Sequence, residues 1–282
     1  MTTDTQVDTQ VDTQAQADRE LKAKHRAMWA LGDYPAVARD VIATTGPALF
    51  RAAGIRAGQR VLDVGAGSGN AAVPAAEAGA AVVASDLTPE LLEHGRRAAP
   101  DAAIAWEVGD AEALPYGDGA FDAVISCVGV MFAPHHQAAA DELVRVTRRG
   151  GTIANLSWTP AGFIGQMFAT MKPFAPAPPP GAQPPPLWGD ADHVRALLGD
   201  RVEDVTFTTA TCPVDVFASP EALVDFFKSA YGPTIAVFRS LGDDAERIAA
   251  LDEALVDLAR RFGAGSADGM QWEYLVTTAT RA

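Results

Sequence analysis

Ten consecutive residues, Val61-Leu62-Asp63-Val64-Gly65-Ala66-Gly67-Ser68-Gly69-Asn70, restrict the fold of this chain more than any others. An apolar run of strand length ends in three glycines at alternate positions, and a helical pattern follows. Glycine tolerates positive φ and lets another group approach the backbone without a Cβ in the way, so the segment reads as a ligand-binding strand, turn and helix. Besides the run at 60–64, short apolar runs recur at 81–85, 103–108, 120–127 and 151–158, alternating with amphipathic, Ala-rich stretches. Runs apolar on both faces, joined by segments of helical length, need a parallel sheet covered on both sides. The expected core is a doubly wound α/β sheet with the glycine turn at its carboxyl edge.

The flanks differ from this core. Residues 1–18 repeat an Asp-Thr-Gln-Val unit without a large apolar side chain, so a disordered leader is expected there. Between 19 and 53, Trp29, Tyr34, Val37, Val41, Leu49 and Phe50 are spaced for two helices broken near 32–35. Prolines at 173, 176, 178–180 and 184–186 predict an exposed loop over 161–190. A short helix at 192–198, a strand at 204–216, a helical insertion at 219–263 broken at Gly232-Pro233, and a final strand at 274–281 complete the expected order. Residues 19–282 are read as a single domain, with the ligand-binding core at 55–160 and the insertion on the substrate side.

Charge and composition narrow the partners. Lys and Arg number 22 against 36 Asp and Glu, giving a formal charge of −14, which repels nucleic acid and anionic lipid. Cys127 and Cys212 are too few for a disulfide framework or a cysteine metal cluster, and no metal is expected. No apolar run reaches the roughly 20 residues of a membrane span. A cytoplasmic monomer or homodimer acting on a small molecule is expected.

Spacing separates two ligand classes for the turn. Dinucleotide folds use G-x-G-x-x-G, which would place the last glycine at position 70, where this chain has Asn70. Asp63, two residues before the first glycine, would oppose a pyrophosphate and suits a cationic ligand. Here the chain resembles the class I S-adenosylmethionine-dependent methyltransferases, whose first motif is a hydrophobic strand, an acid and G-x-G-x-G. Further segments are similar in the same order: Val82 to Asp86-Leu87-Thr88-Pro89, Gly109-Asp110-Ala111, Phe121-Asp122-Ala123-Val124 with Ser126-Cys127, and Asp141 to Gly151. The last stretch looks like the ubiquinone/menaquinone group, with Arg149 where proline is usual. The resemblance implies a mostly parallel seven-stranded, Rossmann-like sheet and S-adenosylmethionine as cofactor. It further implies that Asp63, Gly65, Gly67 and Gly69 cradle the amino-acid tail and Asp86 the ribose hydroxyls. Leu87 would lie on the adenine face, Asp110 and Ala111 beside the adenine, and Ser126 at the strand end facing the methionine part.

Around this core the remaining candidates are few. Tyr34 and Trp29 are expected to cover the cofactor and acceptor. His135 and His136, just past the fourth strand, are the titratable candidates for a general base, although a helix-start histidine solvated at the rim is the commoner use. The expected activity is methyl transfer to a small, largely apolar acceptor by direct displacement. The alternatives are a nicotinamide-dependent oxidoreductase on a similar sheet and a non-catalytic module that binds S-adenosylmethionine.

Overall fold

The computed structural model describes residues 3–282, with side chains from Gln16 onward. Strands β1 (Arg60–Val64), β2 (Ala81–Asp86), β3 (Ile104–Val108), β4 (Phe121–Cys127), β5 (Thr147–Trp158), β6 (Val202–Val214) and β7 (Met270–Arg281) form a seven-stranded sheet in the order β3-β2-β1-β4-β5-β7-β6. The pairs among β1 to β5 are parallel, and β7 lies antiparallel between β5 and β6. Val61 to Val64 of β1 and Ala123 to Ser126 of β4 are buried at successive positions, so both sheet faces are covered there. From β1 the chain moves outward to β2 and β3, then returns to β4 on the other side of β1. That reversal opens a crevice at the carboxyl ends of β1 and β4, where ligands of such sheets bind.

The helices in chain order are α1 (Thr3–Trp29), α2 (Tyr34–Ala36), which runs on through a wide turn at Val37–Val41, α3 (Thr45–Ala53), α4 (Ala72–Glu77), α5 (Pro89–Ala98), α6 (His136–Val146), α7 (Phe163–Met171), α8 (Ala191–Leu198), α9 (Pro220–Ala230), α10 (Gly232–Ser240) and α11 (Ala245–Arg261). Helices α3 to α6 pack on strands β1 to β5, while α11 packs on both α7 and α9, and α7 also meets β7. The break at Gly232-Pro233 falls where expected, because Pro233 sits in the first turn of α10 and cannot continue α9.

Residues 3–18, the segment expected as a disordered leader, fall within α1 (Thr3–Trp29); Met1 and Thr2 lie outside the described residues. The repeat holds neither glycine nor proline, and extending a nucleated helix costs far less than starting one. The proline-rich segment is also not loop throughout. Phe163, Ile164, Met167 and Met171 give it a buried helical stripe as α7 before the first proline, and Trp188 anchors its far end in the core.

Candidate functional site

The glycine turn leaves β1 at the crevice with all three glycines in the left-handed region: φ is +66° at Gly65, +56° at Gly67 and +95° at Gly69. Each meets a different neighbour. A Cβ on Gly65 would stand 2.7 Å from Gly129 Cα, so this glycine lets the turn seat against the loop that follows β4. At Gly67 the same atom would meet only the Tyr34 ring, at 3.6 Å, an ordinary van der Waals contact. Gly69 faces Trp106 of β3, 2.6 Å from a hypothetical Cβ, and Gly95 of α5 closes on the same edge of that indole. The third glycine therefore serves packing: it is not among the residues that line the cavity.

That cavity has an empty volume of about 690 Å³, counting its open mouth. Gly65, Gly67, Asp86, Leu87, Asp110 and Ala111 all line it, together with Tyr34. Asp86 ends β2, and its Oδ2 accepts from Gly67 N at 2.9 Å while Oδ1 accepts from Thr88 N at 2.8 Å. One carboxylate thus ties the turn to the start of α5 and keeps acceptor capacity on both oxygens. Burial pushes its pKa up, partly offset by these backbone donors.

Asp63 lies at the root of the turn and is 1% exposed, with no hydrogen-bond partner for either carboxylate oxygen among the described residues. The Ala72 N–H is near enough to ease the charge without making a well-formed hydrogen bond. Burial, with Asp86 adding to it, pushes the Asp63 pKa up to about 8. An orphaned buried acid is costly unless something cationic compensates it. Ser126 is also buried and off the cavity: its hydroxyl donates to Val64 O at 2.6 Å and accepts from Val130 N at 2.8 Å. It ties the end of β1 to the loop after β4 and is not among the residues that line the cavity.

Neither His135 nor His136, the expected candidates for a base, is among the residues that line the cavity. His136 is fully buried at the start of α6, with Nδ1 2.9 Å from His193 Nε2, and burial with that neighbour lowers its pKa to about 4. The ring of His135 turns to Glu112, with Nδ1 3.0 Å from Oε2. Position in sequence placed both past the fourth strand, but the helix start turns one inward to the α8 side and the other to an acid.

Glu112 belongs to an ionic cluster that sequence spacing left unread. Lys22 Nζ lies 2.5 Å from Asp110 Oδ2, 2.7 Å from Glu112 Oε2 and 3.6 Å from Asp18. Lys22, His25 and Trp29 of α1 all line the cavity, so the last turns of this helix roof it. The signal was present in the stripe 18, 22, 25, 29, one face of a helix. Burial acts to raise the Glu112 pKa, but Lys22 and the His135 N–H outweigh it and hold the carboxyl below its usual range. The pair therefore adds stability above the ordinary glutamate pKa and loses it as pH falls through the lowered value. Lys22→Met should leave Glu112 without its ammonium and cost about 1–3 kcal/mol in urea unfolding at pH 7, shrinking toward pH 4.

Val128, directly after β4, was also missed. It is a β-branched residue at φ +58°, a conformation found at strained functional positions, and it lines the cavity beside Gly129 and Phe132.

These features fit S-adenosylmethionine. Gly67 reaches the cavity with no side chain of its own, Asp86 offers a carboxylate to a diol, Leu87 and Ala111 give apolar walls to a flat base, and Asp63 lies buried and unpaired behind the turn, off the cavity lining. A family model described as a methyltransferase domain matches residues 62–155. An uncharacterized protein of Mycobacterium tuberculosis (strain ATCC 25618 / H37Rv) is 50% identical over 260 residues, 91% of this chain and 94% of the relative. The demethylmenaquinone methyltransferase of Beutenbergia cavernae is 39% identical over 132 residues, 44% of this chain and 54% of the relative. Among solved structures, a geranyl diphosphate methyltransferase in complex with SAM superposes with a TM-score of 0.51 at 17% identity, covering 85% of each chain. Among the described residues, no helix is long and apolar enough to cross a membrane.

Proposed function

The chain belongs to the S-adenosylmethionine-dependent methyltransferases, and from that premise we propose that it methylates a small, largely apolar organic molecule by direct displacement. One observation carries the reading: a cavity in which the bare backbone of Gly67, the Asp86 carboxylate and the apolar walls of Leu87 and Ala111 meet beneath aromatic side chains. When bound, the cofactor supplies an activated methyl group on a sulfonium, whose bonding pair returns to sulfur as the acceptor takes the methyl. The protein's task is then to hold donor and acceptor in line and exclude water, which supplies a large rate gain without a dedicated base. The placement of His135 and His136 off the cavity accords with that economy.

Within the cavity, Asp86 is assigned to the ribose hydroxyls and Leu87 and Ala111 to the adenine faces. Asp110 is assigned to the adenine amine. Its Oδ1 accepts from Glu112 N and its Oδ2 pairs with Lys22, so the carboxylate is fixed in place. Asp63 and the glycine turn are assigned to the amino-acid tail. The relative named for demethylmenaquinone supports a small-molecule acceptor. The thiols Cys127 and Cys212, both free, suit a reducing cytoplasm.

The Asp63 assignment makes a pH prediction. Its folded pKa, near 8, lies above the unfolded value, so the empty protein binds a proton there between about pH 4 and pH 8. A cationic tail favours the ionised form. S-adenosylhomocysteine affinity should therefore rise from pH 6.5 to 8.5, with up to one proton released per site in calorimetry across buffers of different ionisation enthalpy. Asp63→Asn should flatten that dependence.

Activity is tested by incubating the protein with S-adenosylmethionine and a panel of phenols, amines, thiols and quinone-like acceptors, following S-adenosylhomocysteine release. Product above background with an apolar acceptor supports the proposal. Tight S-adenosylhomocysteine binding with no turnover across the panel would favour a non-catalytic binding module.

A further inference from the structure

The roof of the cofactor cavity is fastened at two places, by different means. Just past the end of α1, Asp33 N donates to Ala230 O at 3.1 Å, and a Cβ on Gly232 would run into Met28 O, so backbone lies directly on backbone where α9 gives way to α10. Gly32 sits between these contacts at φ +70°, and the Trp29 ring meets Tyr34, Phe132 and Tyr231 edge-on. Lys22 makes the second fastening seven residues back, about 10 Å along the helix. The roof thus runs from Lys22 on Asp110 to Tyr34 over Gly67, the two ends between which the cofactor is assigned.

Glu112 is the point on which the second fastening converges. Its carboxylate, 5% exposed, accepts from the His135 N–H at 2.6 Å, and its Oε2 lies 2.7 Å from Lys22 Nζ and 3.0 Å from His135 Nδ1. Its own N–H donates to Asp110 Oδ1 at 2.9 Å. One residue thus joins α1, the loop after β3 and the loop after β4, and each of these three supplies residues to the cavity wall. The other α1 pair near the rim, Arg26 with Glu90, is 4.0 Å apart and exposed on both sides, where solvent takes most of its strength.

The consequence is mechanical. A backbone-pinned end beside a glycine can turn as a hinge, while the shaft of α1 lifts only if Lys22 leaves its acids. Lys22 and Glu112 are both mostly buried, so parting them before water reaches them leaves two uncompensated charges, and the step is slow.

We propose that Glu112 is the positioning residue of a gate: it holds Lys22, and with it α1, closed over the cofactor, and its release sets the rate of cofactor exchange. The gate rests on the S-adenosylmethionine reading of the cavity and adds to it a control on entry and exit. Because the clasp is made within the protein and not to the ligand, it opens before binding as well as before release. Weakening it therefore raises both rates by a similar factor with little change in Kd, whereas losing a ligand contact raises the dissociation rate alone.

Stopped-flow tryptophan fluorescence of the full-length protein with S-adenosylhomocysteine measures both rates, Trp29 in the cavity wall giving the signal. Glu112→Gln keeps the shape and an acceptor for the His135 N–H but removes the charge. Association and dissociation should each speed up about tenfold, with Kd held within about threefold. Amide hydrogen exchange without ligand should speed up about tenfold over residues 19–29 in that variant and stay unchanged in β4. Faster dissociation with association unchanged or slower would make Glu112 a support of the binding surface and overturn the gate, as would unchanged rates or unchanged exchange. If the variant does not fold, exchange in the unmodified protein decides. Residues 19–29 should exchange through a local opening, faster than β4, and more slowly once S-adenosylhomocysteine is bound; exchange of α1 only with the whole fold would overturn the proposal. Failure of S-adenosylhomocysteine to bind the unmodified protein would overturn the cofactor reading instead, while the ligand-free exchange comparison still tests the clasp.

Discussion

Gly65→Ala is expected to lower the thermal midpoint by roughly 6–12 °C and to remove measurable S-adenosylhomocysteine binding. The added methyl would stand 2.7 Å from Gly129 Cα and 2.9 Å from Gly129 C, both backbone atoms that cannot rotate away. The residue also sits at φ +66°, where an L side chain is strained. Overpacking of a close backbone contact and an unfavourable backbone well each cost about 1–3 kcal/mol, for a sum of about 3 kcal/mol or more. For a chain of this size each kcal/mol moves the midpoint by roughly 2–4 °C. The turn can relieve the clash only by lifting off the loop after β4, and the ligand surface is built where those two loops meet. Differential scanning calorimetry and a ligand titration check both effects. Gly54→Ala gives a control with similar backbone strain, at φ +62°, but nothing within 4 Å of the added methyl. It should lose stability from strain alone and keep its ligand.

Asp86→Ala should weaken S-adenosylhomocysteine binding by about 3 kcal/mol, roughly two decades in Kd. Two losses combine. The carboxylate that would receive the ribose hydroxyls is gone, and the N–H groups of Gly67 and Thr88, 2.9 and 2.8 Å from its oxygens, lose their acceptor. The second loss lets the glycine turn drift from its place, so affinity falls further than the missing ribose contact alone requires. Asp86→Asn keeps the shape and one carbonyl acceptor, so it should fall between the unmodified protein and the alanine variant. Equal affinity in all three proteins would mean that the ribose lies elsewhere.

What could be read from the sequence was local. The segment from Val61 to Gly69 holds strand, acid and turn within nine residues, and Asp86 with Leu87 follows at the end of the next strand. Periodicity and glycine chemistry located the crevice and the order of elements, while the resemblance supplied Asp86, Leu87, Asp110 and Ala111 of the cavity wall. What could not be read depends on chain segments far apart in sequence. Lys22 meets Asp110 across 88 positions, and Gly65 needs its missing side chain because of Gly129, 64 positions later.

Gly69 illustrates the limit most clearly. As the third glycine of the motif it was read as a ligand contact, yet its neighbour is Trp106, so the same residue type at the same spacing serves helix and strand packing. The partners of Ser126 and His136 were hidden for a related reason: a strand end or helix start fixes where a residue sits along the chain, while its side-chain partners are set by what packs against it.

The central claim is that the turn after β1, with Asp63 behind it and Asp86 beside it, receives S-adenosylmethionine. Calorimetric titration of the purified protein at pH 8 with S-adenosylhomocysteine, and in parallel with NAD(H) and NADP(H), tests it directly. The account predicts saturable one-to-one S-adenosylhomocysteine binding at micromolar levels or tighter, with the dinucleotides giving no heat of binding. Micromolar binding of a dinucleotide, with neither heat nor thermal shift from S-adenosylhomocysteine, would contradict it.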